Sequence, residues 1–268
     1  MAQRVAIAGF GAIGKAVAAR LDCGIEGLTL AAVSARNIER AEAALSGFAR
    51  PVPVVPVASV WEDADIVVEC APAEVLRSIA EPALVHGRTV MVLSCGALID
   101  NFDLVDLARR HGGRILVPSG ALLGLDAVVA AAEGGISRVH MITRKPPRGL
   151  AGAPYLEANA IAVTGLSEPK RVFTGNAREA ARGFPANVNV AAALALAGLG
   201  PDCTTIEIWA DPTLTRNVHR IEVEADAARF TMQIENVPSA ENPRTGRLTA
   251  LSVVAALKKL SAPLAIGT

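Results

Sequence analysis

The stretch Arg4-Val5-Ala6-Ile7-Ala8-Gly9-Phe10-Gly11-Ala12-Ile13-Gly14-Lys15 decides the fold of the N-terminal half. Its apolar run predicts a buried strand, and a helical pattern follows through Leu21. Gly9, Gly11 and Gly14 keep the G-x-G-x-x-G spacing, which gives a tight turn, close approach of a pyrophosphate and tight helix–strand packing. A glycine-rich turn without a ligand is the alternative. The cofactor-binding residues predicted here are Gly9, Phe10, Gly11, Ala12, Ile13 and Gly14.

Strand and helix patterns alternate through the first 123 residues. Strands are predicted at 5–8, 28–33, 65–70, 89–93 and 114–117, with a proline-broken edge segment at 52–57. Such alternation is typical of an α/β fold, here a Rossmann-type doubly wound parallel sheet. The loop after the third full strand lies at the carboxyl edge of that sheet, where dinucleotides bind. Cys70 and Ala71 in this loop are therefore predicted to contact the cofactor.

The pattern changes near residue 124, where strands begin to dominate. Period-two segments at 139–144, 204–211, 216–225 and 229–237 and a short one at 171–174 predict a mixed or antiparallel sheet. Helices are predicted at 124–133, 176–182, 187–199 and 247–260. Together they indicate a second, α+β domain with helices on one face of its sheet. The last helix is predicted to bury one stripe: Leu248, Leu251, Val254, Ala255 and Leu257.

Composition limits the possible partners. Half of the 268 residues are hydrophobic, the formal net charge is zero and aromatic residues are scarce. These values argue against binding to nucleic acid or to an anionic membrane surface. The four cysteines are scattered without a C-x-x-C pair, which predicts reduced, mostly buried thiols in a cytoplasmic protein and no metal site.

The end of the second strand bears on the choice of cofactor. An acidic residue there would accept the ribose hydroxyls of NAD and repel a 2′-phosphate. The chain instead reads Ser34-Ala35-Arg36-Asn37. Ser34 and Arg36 can bind a phosphate, which favours NADP or tolerance of both NAD and NADP. The alternative is that Asn37 only caps the next helix and that Arg36 is a solvated surface charge.

His219 is the candidate for proton transfer. Alternation places it on the same strand face as Ile221 and Val223, with charged residues on the other face. An imidazole pKa near neutrality suits acid–base work, and Asn217 on the same face is a candidate substrate ligand. On pattern alone, a hydrogen-bonded core histidine is the stronger alternative.

Arg144 and Lys145 end the first strand of the second domain. Two cations at this point can hold the carboxylates of a small acidic substrate. The alternative is a solvated strand end, which is the commoner fate of such a pair.

Several segments together resemble the L-aspartate dehydrogenase family nearly end to end. The glycine fingerprint is shared by many dehydrogenases, whereas the later stretches are more selective. The matching segments are Gly9–Gly14, Pro118–Ala121, Thr143–Pro147, Phe184–Val190, Asn217–His219 and Glu241–Thr245.

The resemblance implies NAD(P)-dependent oxidation of L-aspartate to iminosuccinate, which hydrolyses to oxaloacetate and ammonia and in many members feeds NAD biosynthesis. It also implies that His219 is the active-site residue and that Ala121 and Asn187 contact the cofactor. The expected plan is similar to that of dihydrodipicolinate reductase, with a dinucleotide-binding domain at 1–123 plus 246–268 and a substrate and dimerisation domain at 124–245. A homodimer is therefore expected. Two alternatives are a non-catalytic NAD(P)-binding regulator and a reductase of a related imine.

Overall fold

The computed structural model describes residues 2–185, 188–239 and 246–267. The chain divides into two compact units. Unit 1 comprises Met1–Pro118 and Ala250–Ala265, and unit 2 comprises Ser119–Thr249 and Ile266–Thr268.

Unit 1 contains a parallel sheet with strand order β2-β1-β3-β4-β5. This topology confirms the predicted doubly wound α/β fold. The elements in chain order are β1 (Gln3–Ala8), α1 (Ala12–Asp22), β2 (Leu28–Ser34), α2 (Ile38–Leu45), β3 (Ile66–Glu69), α3 (Leu76–Val85), β4 (Thr89–Val92), α4 (Cys95–Asp100), α5 (Asp103–His111) and β5 (Arg114–Leu116).

The central strands of unit 1 are buried on both faces, as is typical of parallel sheets covered by helices. All four residues of β3 and the last four of β1 are buried. The predicted edge segment at 52–57 does not become a sheet strand in the described structure. Val54 forms a single parallel bridge with Val33, and a short 3₁₀ turn starts at Val57. Prolines at 51, 53 and 56 lack the N–H groups that a longer ladder needs.

Unit 2 contains a mixed sheet with strand order β10-β9-β6-β8-β7. β6 and β8 are parallel, and the other neighbouring strands are antiparallel, as predicted. The elements in chain order are α6 (Leu125–Ala132), β6 (Ile136–Lys145), α7 (Pro154–Ala158), β7 (Lys170–Asn176), α8 (Ala177–Gly183), α9 (Asn189–Ala197), β8 (Thr205–Ala210), β9 (Asn217–Ala225) and β10 (Arg229–Asn236).

The two faces of the unit 2 sheet differ. On β6 the side chains at 139, 141, 143 and 145 are buried, and those between them are partly exposed. β9 alternates in the same way, with His219, Ile221 and Val223 buried. We call the face that carries these buried residues the inner face and the opposite one the outer face. Helices α6 and α8 contact the sheet strands, so one face is covered and the period-two pattern has a direct cause.

The last helix, α10 (Arg247–Ser261), returns to the core of unit 1. Val253, Val254 and Leu257 pack with the buried residues of β1, β2 and α1. The predicted stripe is wrong in three places, because Leu248 is 36% exposed, Leu251 is 57% exposed and Ala255 is exposed as well. Val254 and Leu257 are buried as predicted, together with Ser252 and Val253 on the adjoining side of the helix.

The four cysteines, all in the described part of the chain, are free thiols. Cys95 is buried and Cys70 is half-buried, whereas Cys23 and Cys203 are exposed. The prediction of mostly buried thiols is therefore wrong for two of them. Cys23 caps the C-terminus of α1 and Cys203 lies in the turn before β8, so both sit on the surface side of element ends.

Candidate active site

The turn after β1 in unit 1 is built from backbone alone. Gly9 adopts a φ of +104°, and a Cβ placed on it would lie 2.6 Å from the carbonyl oxygen of Cys70 and 2.7 Å from the nitrogen of Ala71. A Cβ on Gly14 would collide with the carbonyl oxygen of Gly9. The turn, helix α1 and the loop after β3 can therefore meet only without side chains at these two positions.

Gly11 behaves differently from its two neighbours in the motif. A Cβ at this position would meet no atom within 4 Å. Gly11 is the N-cap of α1 and has no side chain to cap the helix. The space beside it and the N–H groups of the first helical turn fit the pyrophosphate of a dinucleotide. Phe10 and Ile13 pack against the hydrophobic core, and Ala12 begins the helix, so these three contribute their backbone to this edge.

The end of β2 lies beside the glycine turn. Gly9 donates its N–H to the carbonyl oxygen of Ser34 at 2.9 Å, and Ser34 is buried. Arg36 is exposed, and Asn37 accepts a hydrogen bond from the backbone of Arg40 at 2.8 Å. Asn37 therefore caps α2, which is the alternative role given to it above. Ser34 contacts the glycine turn through its backbone carbonyl.

Glu69 ties together the loops at the carboxyl edge of the unit 1 sheet. Its carboxylate accepts hydrogen bonds from the backbone of Ala71, Leu93 and Ser94 and from the Ser94 hydroxyl, at 2.9–3.1 Å. Burial raises the pKa of Glu69, and these hydrogen bonds, led by those from Ser94, partly oppose the rise. The loop containing Cys70 and Ala71 is therefore held in place beside Gly9 by a buried acid.

Unit 2 gathers polar side chains at one end of its inner face. Thr143, Lys145, His219 and Asn236 are buried there, and Asn217 is half-buried; we call these five residues the polar cluster. Strand register brings them together, because Thr143 lies opposite His219 and Asn217 lies opposite Asn236. The same face continues as apolar core, with Met141, Ile208, Ile221 and Val223.

His219 lies inside this cluster as a neutral imidazole. The Thr143 Oγ1 and His219 Nδ1 atoms are 3.2 Å apart and form a hydrogen bond. Burial, together with the charge of Lys145, lowers the pKa of His219 from 6.5 to about 3. The expectation of an imidazole pKa near neutrality is therefore wrong for the protein without ligands. Desolvation of the inner face is the reason.

Lys145 is the group in the cluster that titrates nearest to neutral pH. Lys145 is only 4% exposed. Burial lowers the pKa of Lys145 from 10.5 to about 8. A carboxylate arriving at this ammonium would add a counter-charge in a site of low polarity, where such an interaction is strong.

Arg144 lies on the outer face, away from Lys145. Its guanidinium contacts the Asp211 carboxylate at 3.5 Å and lies 5.0 Å from the centre of the Trp209 ring. The expectation that Arg144 and Lys145 hold one substrate together is therefore wrong. Adjacent residues of a strand point to opposite faces, so the two cations cannot share a small ligand on the inner face.

Asn236 holds the first loop of unit 2, a role that sequence reasoning missed. Its Nδ2 donates to the carbonyl oxygen of Ala121 at 2.9 Å. Ala121 belongs to a turn closed by a hydrogen bond from Leu122 to Ser119, with Gly120 at a φ of +64°. Period two does place Asn236 on the face of Ile234, but no motif marks it. Asn187, the other predicted cofactor contact in this half, lies outside the described residues.

Two negative findings concern residues 2–185, 188–239 and 246–267 only. No helix within these ranges is long and apolar enough to cross a membrane. No group of three or more His, Cys, Asp or Glu side chains in the same described ranges is arranged to hold a metal ion.

A glycine turn that fits a dinucleotide, joined in one chain to a mixed sheet with a buried histidine and lysine, defines a nicotinamide-dependent dehydrogenase. Residues 126–260 match the family model described as aspartate dehydrogenase, C-terminal. Residues 9–118 match the model described as homoserine dehydrogenase, NAD binding domain. The chain belongs to the L-aspartate dehydrogenase family, as the sequence resemblance indicated.

Individual relatives agree with this membership. The L-aspartate dehydrogenase of Bradyrhizobium diazoefficiens is 61% identical over 265 residues, which cover 99% of this chain and 94% of the relative. That of Methanocella arvoryzae is 40% identical over 99% of both chains. The match to the crystal structure of aspartate dehydrogenase from Thermotoga maritima covers 100% of this chain and 100% of that chain, with a TM-score of 0.75 and 24% sequence identity. This likeness supports the fold.

Proposed function

We propose that this protein oxidises L-aspartate with NAD or NADP to iminosuccinate, which hydrolyses to oxaloacetate and ammonia. The observation that carries the proposal is the polar cluster, in which Lys145 and His219 are buried on one sheet face within the segment matched by the aspartate dehydrogenase model. Unit 1 supplies the dinucleotide turn. A small dianionic substrate requires a few fixed donors rather than a large apolar pocket.

Lys145 serves as a ligand of a substrate carboxylate. In its charged form the buried ammonium can donate a charge-assisted hydrogen bond to an anion. The Asn217 amide lies on the same face and can donate a further hydrogen bond to the substrate. The α-ammonium of L-aspartate must lose a proton before hydride transfer, because the nitrogen lone pair is needed to form the imine.

His219 acts as a neutral hydrogen-bonding group. With its pKa lowered to about 3, the ring is neutral throughout the physiological range. A neutral imidazole can accept a hydrogen bond at one nitrogen and donate at the other, so it can orient the substrate amine or the water that attacks the imine. A bound substrate changes this local charge balance, and proton transfer through His219 then becomes possible.

A bound nicotinamide would supply the hydride acceptor for this oxidation. Gly9, Gly11 and Gly14 would form the turn that holds its pyrophosphate, and Cys70 and Ala71 would line the adjoining carboxyl edge. The resemblance adds backbone or side-chain contacts from Ala121 and Asn187 in unit 2.

Ser34 and Arg36 permit binding of NADP as well as NAD. A 2′-phosphate would meet no carboxylate between residues 34 and 38, and the exposed guanidinium of Arg36 can pair with it. Replacing Arg36 with alanine should weaken NADP binding about 10-fold while leaving NAD binding unchanged. Calorimetric titration of both cofactors measures this, and equal losses for the two would contradict the role of Arg36.

The activity is tested by mixing the protein with L-aspartate and either cofactor at alkaline pH. Absorbance of the reduced nicotinamide should rise, and D-aspartate, L-glutamate and L-alanine should give little or no signal. Cofactor binding without any turnover would favour a non-catalytic regulator. Turnover only with a cyclic or otherwise different imine in the reductive direction would favour an imine reductase.

The role of Lys145 is tested by a neutral and a charged replacement. Lys145→Met should raise the KM for L-aspartate about 10- to 100-fold, the loss expected for a charge-assisted hydrogen bond. Lys145→Arg should raise the KM less than Lys145→Met does. Arg144→Met, on the outer face, is the matched control and should leave the KM unchanged. In the wild type, the KM for L-aspartate should increase as pH rises through the pKa of Lys145, because the ammonium then loses its charge. A kcat that rises through the same pH range with constant KM would instead make Lys145 the proton acceptor.

The outer face of the unit 2 sheet forms the proposed homodimer interface. Ile142, Trp209 and Val218 are half-buried there, and they are surrounded by ion pairs such as Arg138–Glu222 and Arg171–Glu207. An apolar centre with a charged rim is the usual anatomy of a protein interface. Ile142→Glu should shift the mass measured by light scattering from dimer to monomer. A wild-type monomer at micromolar concentration would contradict the proposal.

A cytoplasmic location agrees with the four free thiols, two of them exposed. Cell fractionation followed by immunoblotting tests this. Recovery in an oxidising compartment, with Cys23 or Cys203 in a disulfide, would contradict it.

A further inference from the structure

The hydroxyl of Thr143 is the direct protein partner of His219. Antiparallel pairing of β6 and β9 places the two residues opposite each other on the inner face. Thr143 is 4% exposed and His219 is 2% exposed, and their Oγ1 and Nδ1 atoms are 3.2 Å apart. The hydrogen bond is therefore buried and shielded from competing water.

A hydrogen bond at Nδ1 determines what the other ring nitrogen can do. The neutral imidazole has two tautomers, one with the proton on Nδ1 and one with the proton on Nε2. The Thr143 hydroxyl accepts a hydrogen bond from Nδ1 in the first tautomer and donates one to Nδ1 in the second, so the direction of this hydrogen bond and the tautomer go together. No hydrogen bond to Nε2 is found among the residues that the structure describes. Nε2 is thus the ring atom available to a ligand, and its state as donor or acceptor depends on the bond to Thr143.

Threonine is well suited to hold this bond. Its branching at Cβ restricts χ1, so the hydroxyl is directed at the ring with little loss of side-chain entropy. It lies near the end of β6, between Met141 and Lys145, which are the buried residues on either side of it on the same face. Valine has the same shape without the hydroxyl, and serine keeps the hydroxyl without the second methyl group.

We propose that Thr143 is a positioning residue that fixes the ring plane and a single tautomer of His219, so that Nε2 is presented to the substrate amine or to the water that hydrolyses its imine. The proposal rests on the proposed function of His219 for its catalytic consequence. The tautomer itself exists without substrate, so it can be measured independently of turnover.

The test compares wild type, Thr143→Val and Thr143→Ser by nitrogen NMR of histidine-labelled protein, with the His219 signals assigned from His219→Gln. Wild type and Thr143→Ser should each show a single His219 tautomer, and Thr143→Val should show a mixture or the opposite tautomer. The kcat of Thr143→Val should fall about 10-fold, the effect of one hydrogen bond, while the KM for the dinucleotide stays unchanged. Serine should restore most of the kcat.

Three results would overturn the proposal. The first is a mixture of tautomers in wild type, which needs no variant and therefore does not depend on the folding of Thr143→Val. The second is an unchanged tautomer in Thr143→Val, whatever happens to its activity. The third is a tautomer that changes while kcat stays at the wild-type value. If instead wild type holds one tautomer, valine disrupts it and no form oxidises L-aspartate, positioning stands and the proposed function fails.

Discussion

The glycine turn of unit 1 and the polar cluster of unit 2 are built by opposite means. The turn depends on what is missing, because side chains at Gly9 and Gly14 would collide with backbone atoms. The cluster depends on what is present, since Thr143, Lys145 and His219 are polar groups buried in an otherwise apolar face. One site is formed by backbone atoms, and the other is a set of desolvated polar side chains, of which Lys145 and His219 are titratable.

This difference predicts different sensitivities. A site made of backbone carries no charge of its own, so pH should affect it little, whereas Gly9 and Gly14 leave no space for a side chain. A site made of buried ionisable groups should respond strongly to pH and tolerate changes of shape better than changes of polarity. Glu69 is a test of the contrast, because it is a buried acid that supports the backbone site.

The largest effect is expected in the acid stability that His219 governs. Between pH 6.5 and about 3 the unfolded chain binds a proton at this imidazole and the folded chain does not. The unfolded state therefore binds more protons, and folding stability falls as pH falls through this range, by up to about 5 kcal/mol. Denaturant titrations at a series of pH values should give a shallower acid slope for His219→Gln than for wild type.

The control for this experiment is His111→Gln, which removes an exposed histidine at the end of α5. Its acid slope should match that of wild type. If His219→Gln kept the full wild-type slope, the imidazole would not be excluded from protonation in the folded state. The polar cluster would then not differ from the glycine turn in its response to pH.

The same contrast explains how much the sequence could predict. The glycine fingerprint is local, so Gly9, Gly11 and Gly14 could be placed at a strand–helix turn from spacing alone. Alternation within one strand also placed His219 on the buried face correctly. The prediction for Arg144 and Lys145 failed because it ignored the same alternation, which sends the two neighbours to opposite faces.

Other parts of the site could be predicted only from the register between strands. Thr143 lies 76 residues from His219, and Asn236 lies 115 residues from Ala121 along the chain. No local pattern encodes these pairings, because the strand order β10-β9-β6-β8-β7 arises only on folding. The pKa of His219 was likewise beyond a sequence argument, since it depends on how completely the inner face is desolvated. The prediction of the buried face of α10 was wrong in part, because apolar residues occur around much of this helix and their spacing does not show which of them face the core.

The second largest effect is expected from a comparison of alanine substitutions at Gly14 and Gly11 in the glycine turn. Gly14→Ala should destabilise the protein by about 3 kcal/mol, because its methyl group would overlap the carbonyl oxygen of Gly9. Gly11→Ala should change stability by only about 0.5 kcal/mol, since the space beside it is open. It should nevertheless weaken dinucleotide binding at least about 10-fold, because the methyl group occupies the space of the pyrophosphate. Thermal unfolding and calorimetric titration measure the two quantities, and undiminished binding by Gly11→Ala would contradict the assignment of the turn.

A smaller effect is expected at Glu69. Glu69→Gln replaces one carboxylate oxygen with an NH₂ group that faces backbone or hydroxyl donors, so stability should fall by about 2 kcal/mol. Dinucleotide affinity should fall with it, because the loop with Cys70 and Ala71 loses its anchor beside Gly9. Glu62→Gln, an exposed change ahead of the same strand, is the matched control. A Glu69→Gln variant with wild-type stability and affinity would show that the backbone site needs no buried acid.

The smallest effect is expected at Asn236, where a side chain of the polar cluster supports backbone. Asn236→Ala removes the hydrogen bond to the carbonyl oxygen of Ala121 and should cost about 1 kcal/mol of stability. Hydrogen exchange in the Ser119–Leu122 turn should become faster, because its 2.9 Å tie to β10 is lost. Gln233→Ala, an exposed change on the same strand, should leave that exchange unchanged. If exchange in the turn were the same in both variants, the turn would hold its shape without β10, and Asn236 would belong to the polar cluster by position only.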